Sequence, residues 1–200
     1  NTNHNIEGYN MSEKIRLNIK NIINVELKDC LLSFEKYYNA RVSLAWAGIT
    51  RNHPITDNDN KEAYSNYYHN DAYTYNLFKI FINLHDVSLN HGPMCVIKKN
   101  KSGEFIKYHK YKSRKNYLSK LDTPKEYVHI NTGKKGDIFF CNTTELLHKA
   151  GEPNKEHFRD MLFLNFVATP KNLKKSNFFY LEEEGHDVFN RKAECPKIFA

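Results

Sequence analysis

The chain lacks closely spaced cysteines and long apolar runs. Its four cysteines are widely scattered, at Cys30, Cys95, Cys141 and Cys195, with no C-x-x-C pair. This spacing is typical of reduced thiols in a cytoplasmic protein rather than of a disulfide framework, and it gives no indication of a thiolate metal site. No apolar run approaches the roughly 18 residues of a membrane-spanning helix, and no leader pattern is visible. We therefore predict a soluble, cytoplasmic protein without a membrane partner.

Internal repeats are also absent, as is the alternation of helix and strand patterns that a parallel α/β sheet requires. Apolar residues at three- and four-residue spacing occupy 12–39, whereas short β-branched and aromatic runs bounded by Gly, Asn or Pro follow. These patterns predict a single domain that is mainly β with flanking helices, a double-stranded β-helix (jelly roll, cupin-like). We expect helical support over 1–40, the jelly-roll core over 41–170 and a C-terminal extension over 171–200.

Six runs inside the core are predicted to be strands, in addition to the extended segment around His69 and Asp71. The predicted strands cover 41–49, 77–87, 94–97, 127–130, 137–141 and 158–168. A polar, Asn- and Asp-rich stretch over 50–65 is predicted to be a surface loop.

Positive charge is in excess, with 30 Lys and Arg against 23 Asp and Glu and a formal net charge of +7. Such an excess raises the local concentration of anionic partners, so acidic substrates are mildly favoured. The Lys- and Tyr-rich segment 98–125 is interpreted as a long excursion from the sheet. It is typical of a solvated loop, a lid over a site, or a surface for single-stranded nucleic acid, the last being the least favoured. The oligomeric state is not indicated.

The most informative pattern is a split triplet of His69, Asp71 and His148. Residues i and i+2 of a strand point to one face, so an imidazole and a carboxylate at 69 and 71 can reach the same point. Two histidines and one carboxylate on one side of an octahedron leave the other positions open, as in non-heme Fe(II) oxygenases. We predict that these three residues are catalytic metal ligands, although Mn(II), Co(II) or Zn(II) would accept the same donors.

Other histidines compete for the same role. We interpret His85 and His129 as packed or hydrogen-bonded strand residues and His91 as a turn residue. His157 is the alternative to His148, which is preferred because a strand-like run precedes it and a Gly-containing turn follows it.

A fourth element points to a carboxylate-bearing co-substrate. In the predicted last strand Arg159 shares a face with Met161 and Phe163, and a guanidinium forks onto a carboxylate through two hydrogen bonds. Arg159 is therefore the predicted anchor for 2-oxoglutarate. Further candidates for binding, by their position after the H-x-D pair, are Lys79 and Asn83, together with Tyr73 and Tyr75; Lys79 is suited to an anionic group.

The order of these motifs resembles the phytanoyl-CoA dioxygenase family of Fe(II)/2-oxoglutarate-dependent oxygenases over about 67–168. The resemblance implies that His69, Asp71 and His148 bind iron and that Arg159 binds the distal carboxylate of 2-oxoglutarate, with O2 as the oxidant. An acidic ligand at 71, rather than the small residue of related halogenases, implies hydroxylation or a related oxidation. The chain departs from the family at 97–100 and at Ala150, where the family often has serine.

The expected activity is that of a 2-oxoglutarate-dependent dioxygenase. We expect it to hydroxylate a small or acyl-type substrate and to release succinate and CO2. In one form of this expectation the substrate is anionic. Two alternatives stay open. One is a non-catalytic jelly-roll binding protein, and the other is a nucleic-acid-directed oxygenase that uses segment 98–125.

Overall fold

The computed structural model describes residues 6–55, 67–71, 77–108, 110, 124–169 and 177–190. Its strands are β1 (Ile6–Tyr9), β2 (Arg41–Asn52), β3 (Leu77–Asn83), β4 (Cys95–Ile97), β5 (Val128–Ile130), β6 (Ile138–Cys141), β7 (His148–Lys149) and β8 (Arg159–Thr169). Its α-helices are α1 (Glu13–Asn21), α2 (Lys28–Tyr38), α3 (Ser102–Tyr108) and α4 (Tyr180–Glu183), and a π-helical turn, Ile22–Glu26, joins α1 to α2.

These strands form two antiparallel sheets, as the mainly β prediction with flanking helices requires. The larger sheet has the order β1-β2-β8-β3-β6, and the smaller has the order β5-β4-β7. β8 lies at the centre of the larger sheet because its long run pairs along β2 on one side and β3 on the other. The division of the chain at positions 40 and 170 stays a prediction.

The main core lies between α1, α2 and one face of the larger sheet. Alternate residues of β8, such as Leu164 and Phe166, are fully buried and belong to the same cluster as Ile23 and Leu31 of the helical segment. This arrangement explains the two periodicities in the sequence, since a strand buries every second residue and a helix every third or fourth. The amphipathic helices predicted over 12–39 are confirmed.

A β-bulge in β2 decides which residues face the other side of the sheet. The register between β2 and β8 shifts between Leu44 and Trp46. Leu44 packs on the helical side with Ala47 and Ile49, so the extra residue reverses the alternation. After the bulge, the side chains of Trp46, Thr50 and Asn52 point to the opposite face and line a cavity there.

The smaller sheet has its own core. Tyr68, Ile97 and Phe105 are buried together, and the rings of Tyr68 and Phe105 meet edge to face with centroids 5.1 Å apart. Helix α3 thereby packs beside the segment 67–71.

Several boundaries differ from the predictions. β1 forms in the polar N-terminal arm, β2 continues three residues beyond 49, and 99–108 is helical where an irregular excursion was predicted. His69 lies in an isolated bridge to His148 rather than in a regular strand. Most of 111–125 lies outside the described residues. Within the described part of the chain, no helix has the length and apolar character to cross a bilayer.

Candidate metal centre

The predicted triplet comes together in space. His148 is in β7, and backbone hydrogen bonds of 3.0 Å and 2.9 Å join its main chain to that of His69. The main-chain N–H of Asp71 donates to the carbonyl of Thr143 at 2.8 Å, which fixes the second half of the H-x-D pair against the loop before β7. The Nε2 atoms of His69 and His148 lie 3.8 Å and 3.9 Å from the Asp71 carboxylate oxygens.

The two imidazoles are held in the same way. Nδ1 of His69 lies 2.6 Å from the carbonyl of Tyr67, and Nδ1 of His148 lies 3.0 Å from that of Leu146. A carbonyl oxygen only accepts, so each Nδ1 carries a proton, and in the neutral ring each Nε2 keeps its lone pair for an ion. Such hydrogen bonds from the distal ring nitrogen are what orient histidine ligands in metal proteins.

The electrostatics keep these groups in ligand form. Burial, and next the neighbouring His69, lower the pKa of His148 to about 4, so its ring is neutral at neutral pH. Burial acts to raise the pKa of the Asp71 carboxyl, but Lys79, with smaller contributions from Thr143 and His148, lowers the pKa below the ordinary value. Two imidazoles and one carboxylate are a donor set for a divalent metal ion, and their ligand atoms all lie within 4.8 Å of one another.

Arg159 is the most buried charged side chain near this cluster, with 2% of its surface exposed. Its Nη1 donates to the carbonyl of Gly92, while its Nε has no acceptor in the part of the chain that the structure describes. Burial lowers its pKa to about 10, which leaves it charged at neutral pH. Among the described residues no carboxylate pairs with it. Its neighbour Asp160 accepts instead from Arg51, through two hydrogen bonds of 2.7 Å.

The metal cluster and Arg159 open onto one cavity of about 190 Å³. Its floor is built from the cavity-facing residues of β2, β8 and β3, and its ligand side from the segment 69–71 and β7. The lining residues are Ile6, Trp46, Thr50, Asn52, His69, Asp71, Lys79, Phe81, Met94, His148, Ala150, Arg159, Met161 and Phe163. Gly48 is required in this wall, because a Cβ there would lie 2.3 Å from the ring of Phe163.

The remaining residues that were predicted to bind ligands do not share one location. Lys79 lines the cavity and contacts Asp71, as described above. Asn83 is buried at the end of β3, where its main chain bonds to Asp137 and Gly136, and its side chain is not among the lining residues. Tyr73 and Tyr75 lie outside the described residues. Binding roles for these residues stay predictions.

The competing histidines lie elsewhere. His85, His91 and His157 form an outer histidine cluster with ring centroids 5.1 Å and 5.0 Å apart, outside the lining of the cavity. His129 stacks on Phe139 at 5.3 Å.

The sequence interpretation did not find Thr50 and Asn52 as cavity residues, because it ended the strand at 49. It did not find Trp46, because the bulge sets the direction of that side chain. The period-two spacing of Thr50 and Asn52 was the available signal. It runs antiparallel to that of Arg159, Met161 and Phe163, which are the register partners of Asn52, Thr50 and Gly48.

Comparison with known proteins gives likeness in fold only. Neither the family models nor the curated protein sequences match this chain. HygX from Streptomyces hygroscopicus, with nickel and 2-oxoglutarate bound, is similar at a TM-score of 0.52 and 13% identity over 87% of this chain and 78% of HygX. The non-heme alpha ketoglutarate dependent epimerase SnoN from nogalamycin biosynthesis is similar at a TM-score of 0.47 and 12% identity, over 84% of this chain and 70% of SnoN. The non-heme monooxygenase ThoJ is similar at a TM-score of 0.44 and 13% identity, over 70% of this chain and 50% of ThoJ.

Proposed function

We propose that this chain is a cytoplasmic jelly-roll dioxygenase of the phytanoyl-CoA dioxygenase type that uses Fe(II), 2-oxoglutarate and O2. It would hydroxylate a small or acyl-type anionic substrate and release succinate and CO2. The observation that carries the proposal is that one cavity contains the His69, Asp71 and His148 cluster and the guanidinium of Arg159, which has no carboxylate partner among the described residues. HygX, which has a similar fold, was crystallised with nickel and 2-oxoglutarate.

Two groups of residues would act at the two ends of 2-oxoglutarate, which is a dicarboxylate. The two Nε2 atoms and the Asp71 carboxylate would hold the metal, and Arg159 would hold the far carboxylate through charge-assisted hydrogen bonds. When bound, iron and 2-oxoglutarate supply the oxidising chemistry with O2, while the protein positions the reactants and excludes water. Phe81, Met94 and Phe163 are suited to that exclusion, since they give the cavity an apolar wall.

The balance of charge supports an anionic substrate. Among the described residues, the lining contains one carboxylate, Asp71, and two cationic side chains, Lys79 and Arg159. A divalent ion adds further positive charge, so the site remains positive even with 2-oxoglutarate, a dianion, in place. Lys79 is the candidate to meet the substrate's anionic group. Unchanged substrate turnover by Lys79→Ala, once a substrate is known, would remove Lys79 from this role.

The direct test is the formation of succinate from 2-oxoglutarate under air with added Fe(II). We expect turnover by the wild-type protein, slow without its substrate, and none above background by Asp71→Ala. A His157→Ala variant is the matched control and should keep wild-type turnover. Binding of metal and 2-oxoglutarate without succinate would indicate the non-catalytic binding protein instead.

The nucleic-acid alternative finds less support in the described part of segment 98–125. There, Lys101 pairs with Glu104 at 3.0 Å and Lys99 with Glu145 at 3.5 Å. Lysines with carboxylate partners in the fold are less suited to a phosphate backbone. Turnover that responds to single-stranded oligonucleotide would restore this alternative.

A further inference from the structure

The end of β2 brings a second unpaired donor beside Arg159. Asn52 and Arg159 are register partners in the antiparallel pair of β2 and β8, so their side chains leave the sheet side by side on the same face. Both residues are 2% exposed, and both line the cavity of the metal centre.

Each of the two side chains has a buried donor without a partner. Nδ2 of Asn52 and Nε of Arg159 have no hydrogen-bond acceptor among the described residues. Folded proteins rarely leave buried N–H groups unpaired, because each loses its hydrogen bonds to water without replacement. Two such donors that share one cavity point to an acceptor that the described part of the chain does not provide.

The chemistry of the missing acceptor follows from the donors. A guanidinium and an amide N–H, with no acidic side chain beside them, match the two oxygens of a carboxylate. By contrast, the buried hydroxyl of Thr169, which also has no partner among the described residues, is at the far end of β8 and does not line the cavity.

We propose that the Asn52 amide donates to the distal carboxylate of 2-oxoglutarate, beside Arg159, and so selects a five-carbon dicarboxylate over a 2-oxo acid with an apolar end. This inference rests on the proposed function. It deepens that function by assigning a co-substrate specificity residue that the strand prediction had placed in a loop.

The test compares two ligands on protein loaded with Ni(II), by calorimetric titration. 2-Oxoglutarate carries the distal carboxylate, and 2-oxopentanoate has a methyl group in its place. A hydrogen bond to a charged group is worth roughly ten- to hundredfold in affinity. We expect Asn52→Leu to weaken 2-oxoglutarate binding by about tenfold or more and to leave 2-oxopentanoate and Ni(II) binding unchanged.

Two further variants keep the result interpretable. Asn52→Asp has nearly the same shape but would place a carboxylate beside Arg159, so we expect a larger loss of 2-oxoglutarate affinity. Thr169→Val removes an unpaired buried hydroxyl from the same sheet outside the cavity and should bind both ligands as the wild type does.

Equal weakening of both ligands by Asn52→Leu, or no weakening of either, would overturn the assignment of Asn52. A different result tests the function itself: wild-type protein that binds Ni(II) but not 2-oxoglutarate contradicts the proposed function. The two failures are therefore distinguishable in one set of titrations.

Discussion

The metal centre and the outer histidine cluster both bring imidazoles into ring contact, but their nitrogens are used differently. The rings of His69 and His148 are 4.4 Å apart, each with Nδ1 on a carbonyl and Nε2 directed toward Asp71. In the outer cluster, the main-chain N–H of Asp160 donates to Nε2 of His85 at 3.0 Å, and that of Ser88 donates to Nδ1 of His91 at 3.1 Å. Local hydrogen bonds there occupy the lone pairs that an ion would need.

Burial and charge separate the two clusters further. The metal centre includes a carboxylate that Lys79 keeps deprotonated, whereas no such group converges with ligand atoms of the outer cluster among the described residues. Burial, and then its two histidine neighbours, lower the pKa of His91. The comparison teaches that the orientation of the lone pairs, rather than the number of nearby histidines, makes a metal site.

The largest expected effect is on the metal affinity of the cluster that contains His148. Replacement of His148 by alanine removes one of three ligands and should weaken Ni(II) or Co(II) binding on the order of a hundredfold or more. Replacement of His157 by alanine, in the outer cluster, should leave the affinity unchanged. Calorimetric titration of both variants measures this, and a metal affinity that falls with His157→Ala instead would reverse the assignment.

The second effect distinguishes Arg159, which lines the cavity, from its neighbour Arg51, which does not. Arg159→Met should reduce 2-oxoglutarate affinity on the order of a hundredfold with little change in metal affinity, because it removes the charge that faces the cavity. Arg51→Met breaks a partly exposed ion pair with Asp160 and should cost only about 0–1 kcal/mol of stability. If both variants bind 2-oxoglutarate equally well, the cavity guanidinium is not the anchor.

The smallest effect concerns the turn that joins the outer cluster to the site. Gly92 follows His91, has a φ of +62°, and a Cβ there would lie 2.3 Å from the main chain of Glu152. Gly92→Ala should therefore lower the free energy of unfolding by about 1–3 kcal/mol. Gly103→Ala, in α3 with nothing within 4 Å, should raise it by about 0.5–1 kcal/mol. Urea denaturation distinguishes these signs, and equal stability of the two variants would contradict the packing described.

The sequence predicted those parts of the molecule that a local pattern encodes. The alternation in β8 and the apolar run in β3 identified central strands, and the spacing of His69, Asp71 and His148 identified a cluster that the structure brings together. The end of β2 was missed, because Thr50, Arg51 and Asn52 resemble a polar loop. Their polarity is instead explained by a cavity on one face and the pair with Asp160 on the other.

Other features required contacts that no local pattern carries. The bulge that turns Trp46 toward the cavity is visible only in the register of β2 with β8. The contact of Lys79 with Asp71 likewise depends on how β3 lies beside the segment 67–71. Strand pairing over long separations in the chain sets both, so neither could be derived from spacing.

The bidentate contact of Arg51 with Asp160 has a thermodynamic consequence. Arg51 pairs with Asp160, the acidic neighbour of Arg159, on the opposite face of the sheet. Arg159 therefore stays a buried cation without a counterion among the described residues. A buried cation without a counterion lowers the stability of the fold. Binding of the proposed dicarboxylate would restore that stability and would link folding by mass action to the concentration of the ligand. The melting temperature would then report occupancy even in an inert, nickel-loaded protein in which no turnover takes place.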